Sequence, residues 1–372
     1  MSSARGLSIS LCACQTRIGL LLPRDGPLAD GPERATSLSD EFRCTTGLPT
    51  ASCQWGFHLL TPSCQERSHP PEAAPVRLRP VSEALETGAL DGKRCIVTGG
   101  TSGIGRATAV GLARAGARVA IVCRDPVRGE ETVAEIYERT GSEAVEVFHA
   151  DLSSQASIRQ VVREILTRCP RIDVLVNNAG VVEWSRRETA DGIEAMWAVN
   201  HLAYFQLTNL LLERLCESAP ARIVSVSSGA HKFVSALDPE DPAPAGERMR
   251  WWRSYGRSKL GNLLFTTELA RRLEGSGVTA NALHPGAVST RLGTQNGRWA
   301  AAITAPLGLF FRSPEKGAET SLYLAGSAEV EGRSGLYFTD CKEETPSRLA
   351  RDAELAARLW ASSSRQVGLE RP

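Results

Sequence analysis

RCIVTGGTSGIG, residues 94–105, is the stretch that decides the fold of this chain of 372 residues. Its apolar start, residues 94–98, predicts a short buried strand, and the residues after the glycines predict a helix. Gly99, Gly103 and Gly105 permit a tight turn between the two and let backbone amides approach an anion closely. Because a helix N-terminus adds unpaired N–H donors, we interpret the turn as a dinucleotide pyrophosphate site. An ordinary strand-to-helix turn is the alternative.

Strands and helices continue to alternate after this turn. Six more apolar runs predict strands at residues 117–124, 144–151, 172–180, 221–228, 278–286 and 334–340. Helical patterns lie between them at residues 130–140, 158–169, 192–218 and 255–273. Apolar, β-branched runs joined through helices indicate a parallel sheet that is covered on both faces. We therefore expect an α/β protein with a single doubly wound Rossmann fold and a parallel seven-stranded sheet, whose ligands bind beyond the carboxyl ends of the strands.

The chain divides by composition into three parts. Residues 1–89 are rich in Pro, Ser, Gly and Cys and lack helical or strand periodicity, which predicts an N-terminal extension of low order. Residues 90–362 hold the predicted Rossmann domain, and residues 363–372 are a C-terminal tail. The extension either has a targeting or regulatory role or has no function of its own.

The composition also bears on nucleic-acid partners, metal sites, membrane spans and location. A formal net charge of +1 gives no reason to expect a nucleic-acid partner. Ten cysteines without a C-x-x-C pair, and histidines that do not cluster near them, predict thiols in a reducing compartment and no metal site. The sequence contains no run of about 18 uncharged apolar residues, so it does not predict a transmembrane helix. We expect a cytoplasmic location, with organelle targeting by the extension and peripheral membrane contact as open alternatives.

The end of the second predicted strand bears on which dinucleotide binds. An acidic residue at that point would accept hydrogen bonds from the ribose 2′-hydroxyl group of NAD. Here the strand ends at Arg124, whose guanidinium group can pair with the 2′-phosphate of NADP, and Arg106 is placed to assist. Asp125 follows directly, so we favour NADP(H) and leave NAD(H) open.

Tyr255 and Lys259 lie four residues apart, on one face of a predicted helix. Hydride transfer to a carbonyl needs a proton for the developing alkoxide, and a free phenol has a pKa near 10. A neighbouring ammonium group and a positive nicotinamide ring should lower that pKa, and the lysine can also hold ribose hydroxyl groups. A surface tyrosine and lysine at this spacing by chance is the alternative.

Two further polar residues complete the candidate set. Ser228 ends the fifth predicted strand, where its hydroxyl group can hydrogen-bond a substrate oxygen, and Ser227 competes with it for that role. Asn200 is a poor helix former in the middle of a predicted helix, which indicates a local role. It either holds a water that links the lysine to solvent or makes a hydrogen bond in the core.

These motifs together resemble a classical short-chain dehydrogenase/reductase over residues 92 to about 360. The similarity is greatest to the branch of retinol dehydrogenases and the WW-domain oxidoreductase. It is carried by TGGTSGIG (98–105), CRD (123–125), DL (151–152), NNAG (177–180), VNHL (199–202), VSS (226–228), YGRSK (255–259) and HPG (284–286). Membrane-bound retinol dehydrogenases usually carry an apolar anchor shortly before the first strand, whereas residues 68–90 here are polar.

The resemblance implies an enzyme that passes a hydride between NADP(H) and a lipophilic carbonyl or alcohol such as a retinal-like, long-chain or steroid-like compound. It implies an active-site tetrad of Asn200, Ser228, Tyr255 and Lys259, with Ser228 also contacting the substrate. It implies cofactor contacts by Gly99, Thr101, Ser102, Gly103, Ile104, Gly105, Arg124, Asp151, Leu152, Asn178, Ala179, Gly180, Tyr255, Lys259, Pro285 and Gly286. It also implies a homodimer or homotetramer.

The apolar segment WAAAITAPLGLFF, residues 299–311, is a candidate cover for a lipid-like substrate, with core packing or a subunit contact as the alternative. Trp251 and Trp252 are further candidates for the pocket wall. The rival function is a non-catalytic NADP(H)-binding sensor or interaction protein on the same fold. Such proteins usually lose the tyrosine or the lysine, and this chain retains both.

Overall fold

Eight strands form one sheet in the order β3-β2-β1-β4-β5-β6-β7-β8 in the computed structural model. The structure describes residues 85, 88–244, 251–288 and 312–370, so residues 1–84 of the extension and the segment 299–311 lie outside the described residues. The strands are β1 (Arg94–Thr98), β2 (Arg118–Cys123), β3 (Val145–His149), β4 (Val174–Asn177), β5 (Ala221–Val226), β6 (Val278–His284), β7 (Tyr337–Thr339) and β8 (Lys342–Glu343).

The first seven strands are parallel, and β8 alone pairs antiparallel, with β7. The predicted doubly wound α/β fold is confirmed, and the expectation of seven strands needs one correction. A two-residue turn joins β7 to β8, and both of its residues, Asp340 and Cys341, have positive φ, at 52° and 60°. Such a turn suits a tight hairpin, but an Asp-Cys pair lacks the Asn-Gly or Asp-Gly signature that would announce it.

Helices cover both faces of the sheet and join its strands. They are α1 (Gly103–Arg114), α2 (Pro126–Thr140), α3 (Gln155–Arg168), α4 (Ala195–Trp197, continued through Ala198–Leu202 and Ala203–Glu217), α5 (Trp251–Arg272), α6 (Pro314–Gly326) and α7 (Ala353–Gln366). The predictions omitted α6 and α7, and α7 runs past the boundary predicted at residue 362. Within the described ranges, no helix is both long and apolar enough to cross a membrane.

The central strand β1 shows why the strands read as continuous apolar runs. All five of its residues are buried, with Ile96 in the hydrophobic cluster on one face and Cys95 and Val97 in the cluster on the other. Because both faces are covered, neither side of the strand needs polar residues. The chain crosses from β3 back past β1 to β4, so the strand order reverses between the carboxyl ends of β1 and β4. Ligands of doubly wound folds bind at that point.

Helix α4 differs from the uninterrupted helix predicted over residues 192–218. It begins after Glu194, whose carboxylate accepts hydrogen bonds from the backbone N–H groups of Met196 and Trp197 at 3.1 and 2.8 Å. Over Ala198–Leu202 the helix widens into a π-helical turn, and Asn200 stands at its centre. π-helical turns inside α-helices are frequent at functional sites. Hydrophobic periodicity cannot reveal such a turn, because one inserted residue barely changes the pattern.

Candidate active site

The glycine turn after β1 has room for backbone only. Gly99 and Gly103 have φ of +65° and +52°, a conformation that favours glycine. A Cβ atom at Gly105 would lie 2.3 Å from both the Gly99 carbonyl oxygen and the Asn178 Nδ2 atom. A Cβ atom at Gly99 would lie 2.9 Å from the Ala179 Cα atom. The turn and the loop after β4 are therefore packed backbone against backbone.

The N-terminus of α1 opens this turn, and it fits an anion. Ser102 precedes the helix in extended conformation and makes no side-chain hydrogen bond to the first turn, which contains no acidic residue. Thr101, Ser102 and Ile104 are only partly buried. Helix N-terminal amides that lack a side-chain cap can bind a phosphate group. The residues present thus fit the pyrophosphate of a dinucleotide.

The loop after β4 is fastened to this turn by hydrogen bonds. Asn178 Nδ2 donates to the Thr98 carbonyl oxygen at 2.8 Å. The Thr98 hydroxyl oxygen accepts from the backbone N–H groups of Asn178 and Ala179 at 2.9 and 3.1 Å. The Asn178 amide group, predicted to contact the cofactor, therefore holds the turn in place. Gly180 follows, and a Cβ atom there would lie 3.4 Å from Asn200 Oδ1 and 3.7 Å from Lys259 Nζ.

Asn200 is fully buried and hydrogen-bonded to protein groups. Its Oδ1 atom accepts from the Val181 N–H group at 2.7 Å, and its Nδ2 atom donates to the Val181 carbonyl oxygen at 3.0 Å. Nδ2 also donates to the Ser258 hydroxyl oxygen at 3.1 Å. Of the two roles considered for Asn200, the core hydrogen bond is present, and it ties the π-helical turn to both the β4 loop and α5.

Tyr255, Ser228 and Lys259 come together at the carboxyl end of β5. Ser228 lies close enough to Tyr255 for its hydroxyl group to lower the pKa of the phenol. Lys259 Nζ lies 5.7 Å from the centroid of the Tyr255 ring and donates to the Val226 carbonyl oxygen at 3.0 Å. The turn, the β4 loop and these three side chains form the candidate active site.

The pKa values of Tyr255 and Lys259 are both shifted in the chain by itself. Burial raises the pKa of Tyr255 to about 12, and the hydrogen bond from Ser228 offsets only part of that rise. Burial also lowers the pKa of Lys259 to about 7. The expectation that the ammonium group and the nicotinamide ring together lower the tyrosine pKa stays a prediction for the cofactor-bound site. Both shifts have one physical cause, since removal from water disfavours the phenolate and the ammonium alike.

The structure gives Ser227 and Ser228 different surroundings. Ser227 is 1% exposed, and its hydroxyl group donates to the Lys259 backbone carbonyl oxygen at 2.7 Å. Ser228 begins the short 3₁₀ turn Gly229–Phe233 and accepts from the Ala230 N–H group at 3.2 Å. Ser227 thus binds the backbone of α5, whereas Ser228 lies beside Tyr255 and lowers the pKa of its phenol.

The end of β2 presents one basic and one acidic side chain. Arg124 is exposed directly after the strand. Asp125 caps α2, because its Oδ1 atom accepts from the N–H groups of Val127 and Arg128 at 3.1 and 3.3 Å. Arg106, considered as an assistant to Arg124, pairs with Glu135 at 3.1 Å.

The remaining predicted cofactor residues lie at the same edge of the sheet. Asp151 follows β3, and its Oδ1 atom accepts from the backbone N–H and hydroxyl groups of Ser153 at 2.9 and 2.7 Å. Leu152 packs partly buried against the core. Pro285 and Gly286 follow β6, and both are partly buried.

Sequence reasoning missed two residues of this site. The Tyr204 hydroxyl group donates to the Ala179 carbonyl oxygen at 2.8 Å. Its ring centroid lies 5.6 Å from Lys259 Nζ. His231 is fully buried and joins the Ser228 carbonyl oxygen through Nδ1 at 2.7 Å. The only sequence signals were their positions, four residues after Asn200 and three after Ser228.

Comparisons with known proteins place this geometry in context. Residues 93–240 match the family described as short chain dehydrogenase. Human retinol dehydrogenase 13 is 43% identical over 288 residues, which cover 76% of this chain and 87% of that protein. Human retinol dehydrogenase 14 is 43% identical over 316 residues, covering 79% of this chain and 91% of that protein.

Solved structures of other proteins are also similar to this chain. An uncharacterised protein from Mycobacterium paratuberculosis superposes with a TM-score of 0.62 at 34% identity, covering 78% of this chain and 98% of its own. A short chain dehydrogenase from Burkholderia cenocepacia in complex with NADP superposes with a TM-score of 0.53 at 29% identity, covering 68% and 97%.

Proposed function

The chain belongs to the short-chain dehydrogenase/reductase family, in its retinol dehydrogenase branch, and from that premise we propose that it is an NADP(H)-dependent oxidoreductase of lipophilic carbonyls or alcohols. The observation that carries the proposal is the position of Tyr255 between the Ser228 hydroxyl group, which lowers the pKa of the phenol, and Lys259, whose Nζ atom lies 5.7 Å from the ring centroid. This group adjoins a glycine turn whose geometry suits a dinucleotide pyrophosphate.

The proposed chemistry divides between the cofactor and the chain. The nicotinamide, when bound, supplies or takes up the hydride. Tyr255 is the proposed general acid and base. With a pKa raised to about 12 in the chain by itself, it is a neutral phenol at pH 7 and holds the proton that a carbonyl substrate needs on reduction. Ser228 would donate a hydrogen bond to the substrate oxygen, where negative charge develops.

The reverse direction requires Tyr255 to accept a proton. Lys259 in its ammonium form would stabilise the phenolate, because a positive charge within a few ångströms favours the anionic form of a neighbouring group. Since burial lowers the pKa of Lys259 to about 7, its charge state changes in the physiological pH range. Alcohol oxidation should therefore depend more strongly on pH than carbonyl reduction.

The proposed preference for NADP(H) rests on the end of β2. The Asp125 carboxylate is engaged in capping α2, which leaves it poorly placed to accept hydrogen bonds from a ribose 2′-hydroxyl group. Arg124 is exposed beside it and can pair with a 2′-phosphate. The bound NADP of the Burkholderia cenocepacia relative supports the same choice.

The proposed substrate class rests on the relatives and on three aromatic residues. Both human relatives carry retinol in their names. Phe233, in the turn after Ser228, is 78% exposed, and Trp251 and Trp252, one turn before Tyr255, are 39% and 44% exposed. Exposed apolar groups that flank a site are typical of a surface that binds apolar ligands. We propose a retinal-like, long-chain or steroid-like compound.

The proposal is tested by following cofactor absorbance at 340 nm with NADPH and NADH against retinal, long-chain aldehydes, steroids and quinones. Turnover of an apolar carbonyl with NADPH is the expected result. Tight NADPH binding without turnover in either direction would favour the sensor function instead.

Cytoplasmic location and a dimeric or tetrameric state stay predictions, to be checked by cell fractionation and light scattering.

A further inference from the structure

Tyr204 contacts two parts of the candidate active site that have different tasks. Its hydroxyl group donates to the Ala179 carbonyl oxygen at 2.8 Å, in the loop that packs against the glycine turn. Its ring centroid lies 5.6 Å from Lys259 Nζ. The side chain is 1% exposed, so neither contact is an accident of the surface. We propose that Tyr204 is a positioning residue, whose hydroxyl group holds the cofactor loop and whose ring stabilises the ammonium form of Lys259.

The position of Tyr204 follows from α4. Asn200 and Tyr204 are four residues apart, at the centre and just after the end of the π-helical turn. Asn200 binds the backbone of Val181 and Tyr204 binds that of Ala179, on either side of Gly180. The loop after β4 is thus held at two points by one helix. Because Ala179 packs against Gly99, movement of this loop would also open the glycine turn.

The ring of Tyr204 matters because, within the described ranges, few other groups near Lys259 favour its charged form. Among the described residues, the groups near Lys259 are the Val226 carbonyl oxygen of β5, Gly180 of the β4 loop, Asn200 and Tyr204 of α4, and Tyr255 of its own helix. The titratable members of this set are the two tyrosines. Burial raises the pKa of Tyr204 well above its usual value, so it stays neutral and acts through its ring. An aromatic ring within about 6 Å of an ammonium group favours the charged form, most strongly away from water.

The two tasks can be separated by two substitutions. Tyr204→Phe keeps the ring and removes the hydroxyl group, so it should weaken NADPH binding about fivefold through the loss of one hydrogen bond. It should leave the titration of Lys259 unchanged. Tyr204→Leu removes the ring as well and should lower the titration midpoint of Lys259 by about 0.5 to 1 pH unit. Tyr204→Met is a second variant without a ring, should the leucine variant not fold.

The titration can be measured directly, because the sequence contains only five lysines. In protein labelled with ¹³C at the lysine ε-carbon, the Lys259 signal is the one that disappears in Lys259→Arg. Its chemical shift is followed against pH in the cofactor-free chain. Tyr137→Phe is the matched control, because Tyr137 is 54% exposed on α2, and it should change neither the midpoint nor NADPH binding.

The inference rests on the proposed function, but its test does not depend on turnover. An inactive wild type with the predicted midpoints would overturn the enzyme function and leave the two contacts of Tyr204 established. The inference itself is overturned if the ring-less variants leave the Lys259 midpoint unchanged or raise it. It is equally overturned if Tyr204→Phe binds NADPH as the wild type does.

Discussion

Lys259 lies one helical turn after Tyr255 on α5, with its Nζ atom 5.7 Å from the centroid of the tyrosine ring. Burial acts on both side chains and moves their pKa values in opposite directions, that of Tyr255 up to about 12 and that of Lys259 down to about 7. In the chain by itself Tyr255 is therefore a neutral phenol at physiological pH, whereas Lys259 changes its charge within that pH range. These pKa values suit proton transfer, since neither Tyr255 nor Lys259 is held permanently in its charged form.

The buried lysine makes a prediction for stability. Lys259 releases its proton near pH 7 in the folded chain but at about 10.5 when exposed, so between these values the unfolded state binds one more proton. The unfolding free energy should therefore rise with pH across this window, by at most about 1.4 kcal/mol per pH unit. Lys259→Met should lack that contribution and be more stable than wild type at pH 7. Urea unfolding at pH 7, 8.5 and 10 checks this, and equal pH slopes for both proteins would contradict it.

Adjacent serines should respond differently to substitution. Ser228→Ala removes the hydroxyl group beside Tyr255 that would hydrogen-bond the substrate oxygen, and it should lower kcat about 100-fold or more. Ser227→Ala removes a buried bond to the Lys259 carbonyl oxygen and should cost about 1 kcal/mol of unfolding free energy, with kcat within a few-fold of wild type. Steady-state kinetics and urea unfolding of both variants decide the matter. The opposite pattern would assign the catalytic serine to position 227.

The choice between NADPH and NADH should depend on Arg124 and not on Arg128. Arg124→Ala should reduce kcat/KM for NADPH about tenfold or more, through the loss of a charge-assisted contact, and leave that for NADH nearly unchanged. Arg128 lies on α2 and pairs with Asp125 at 3.5 Å, so Arg128→Ala is a matched control that should leave the NADPH to NADH ratio as it was. Kinetics with both cofactors test the prediction. An unchanged ratio in Arg124→Ala would rule out its contact with a 2′-phosphate.

The glycine turn should not tolerate a side chain at Gly105. Alanine there would bring Cβ to 2.3 Å from the Gly99 carbonyl oxygen, and the forced opening of the turn should weaken NADPH binding more than about tenfold. Gly141→Ala is the control, since it places Cβ in open space at a φ of +71° after α2. That change should cost about 1 kcal/mol of stability through backbone strain alone and leave NADPH binding intact. Fluorescence titration with NADPH compares the two variants, and intact binding by Gly105→Ala would exclude the turn as the pyrophosphate site.

The parts of the fold that were predictable are those encoded locally. The β1 strand and its glycine turn follow from residues 94–105, because the apolar run and the glycine positions act within one short stretch. The β7–β8 hairpin was missed because Asp340 and Cys341 adopt positive φ without the usual turn residues. The π-helical turn was missed because it leaves the apolar pattern of α4 almost intact.

The candidate site divides in the same way. Residues carried by short motifs, such as Ser228, Tyr255 and Lys259, were named from the sequence and lie together in the structure. Tyr204 was not, because its contacts with Ala179 and Lys259 join elements that are distant along the chain. His231 was not, because no quoted motif includes it and its burial is a property of the folded chain. The rise of the Tyr255 pKa in the chain by itself was not predicted, for a related reason. It depends on how deeply the phenol is buried, and burial is a property of the folded chain.

The central claim is that Tyr255 transfers the proton in hydride exchange, and Tyr255→Phe tests it most directly. The variant keeps the ring beside Lys259 and loses only the hydroxyl group. NADPH affinity from fluorescence titration should stay within about twofold of wild type, while turnover of the best carbonyl substrate falls by about 100-fold to 10,000-fold. Turnover within about tenfold of wild type, with NADPH binding intact, would show that another group supplies the proton.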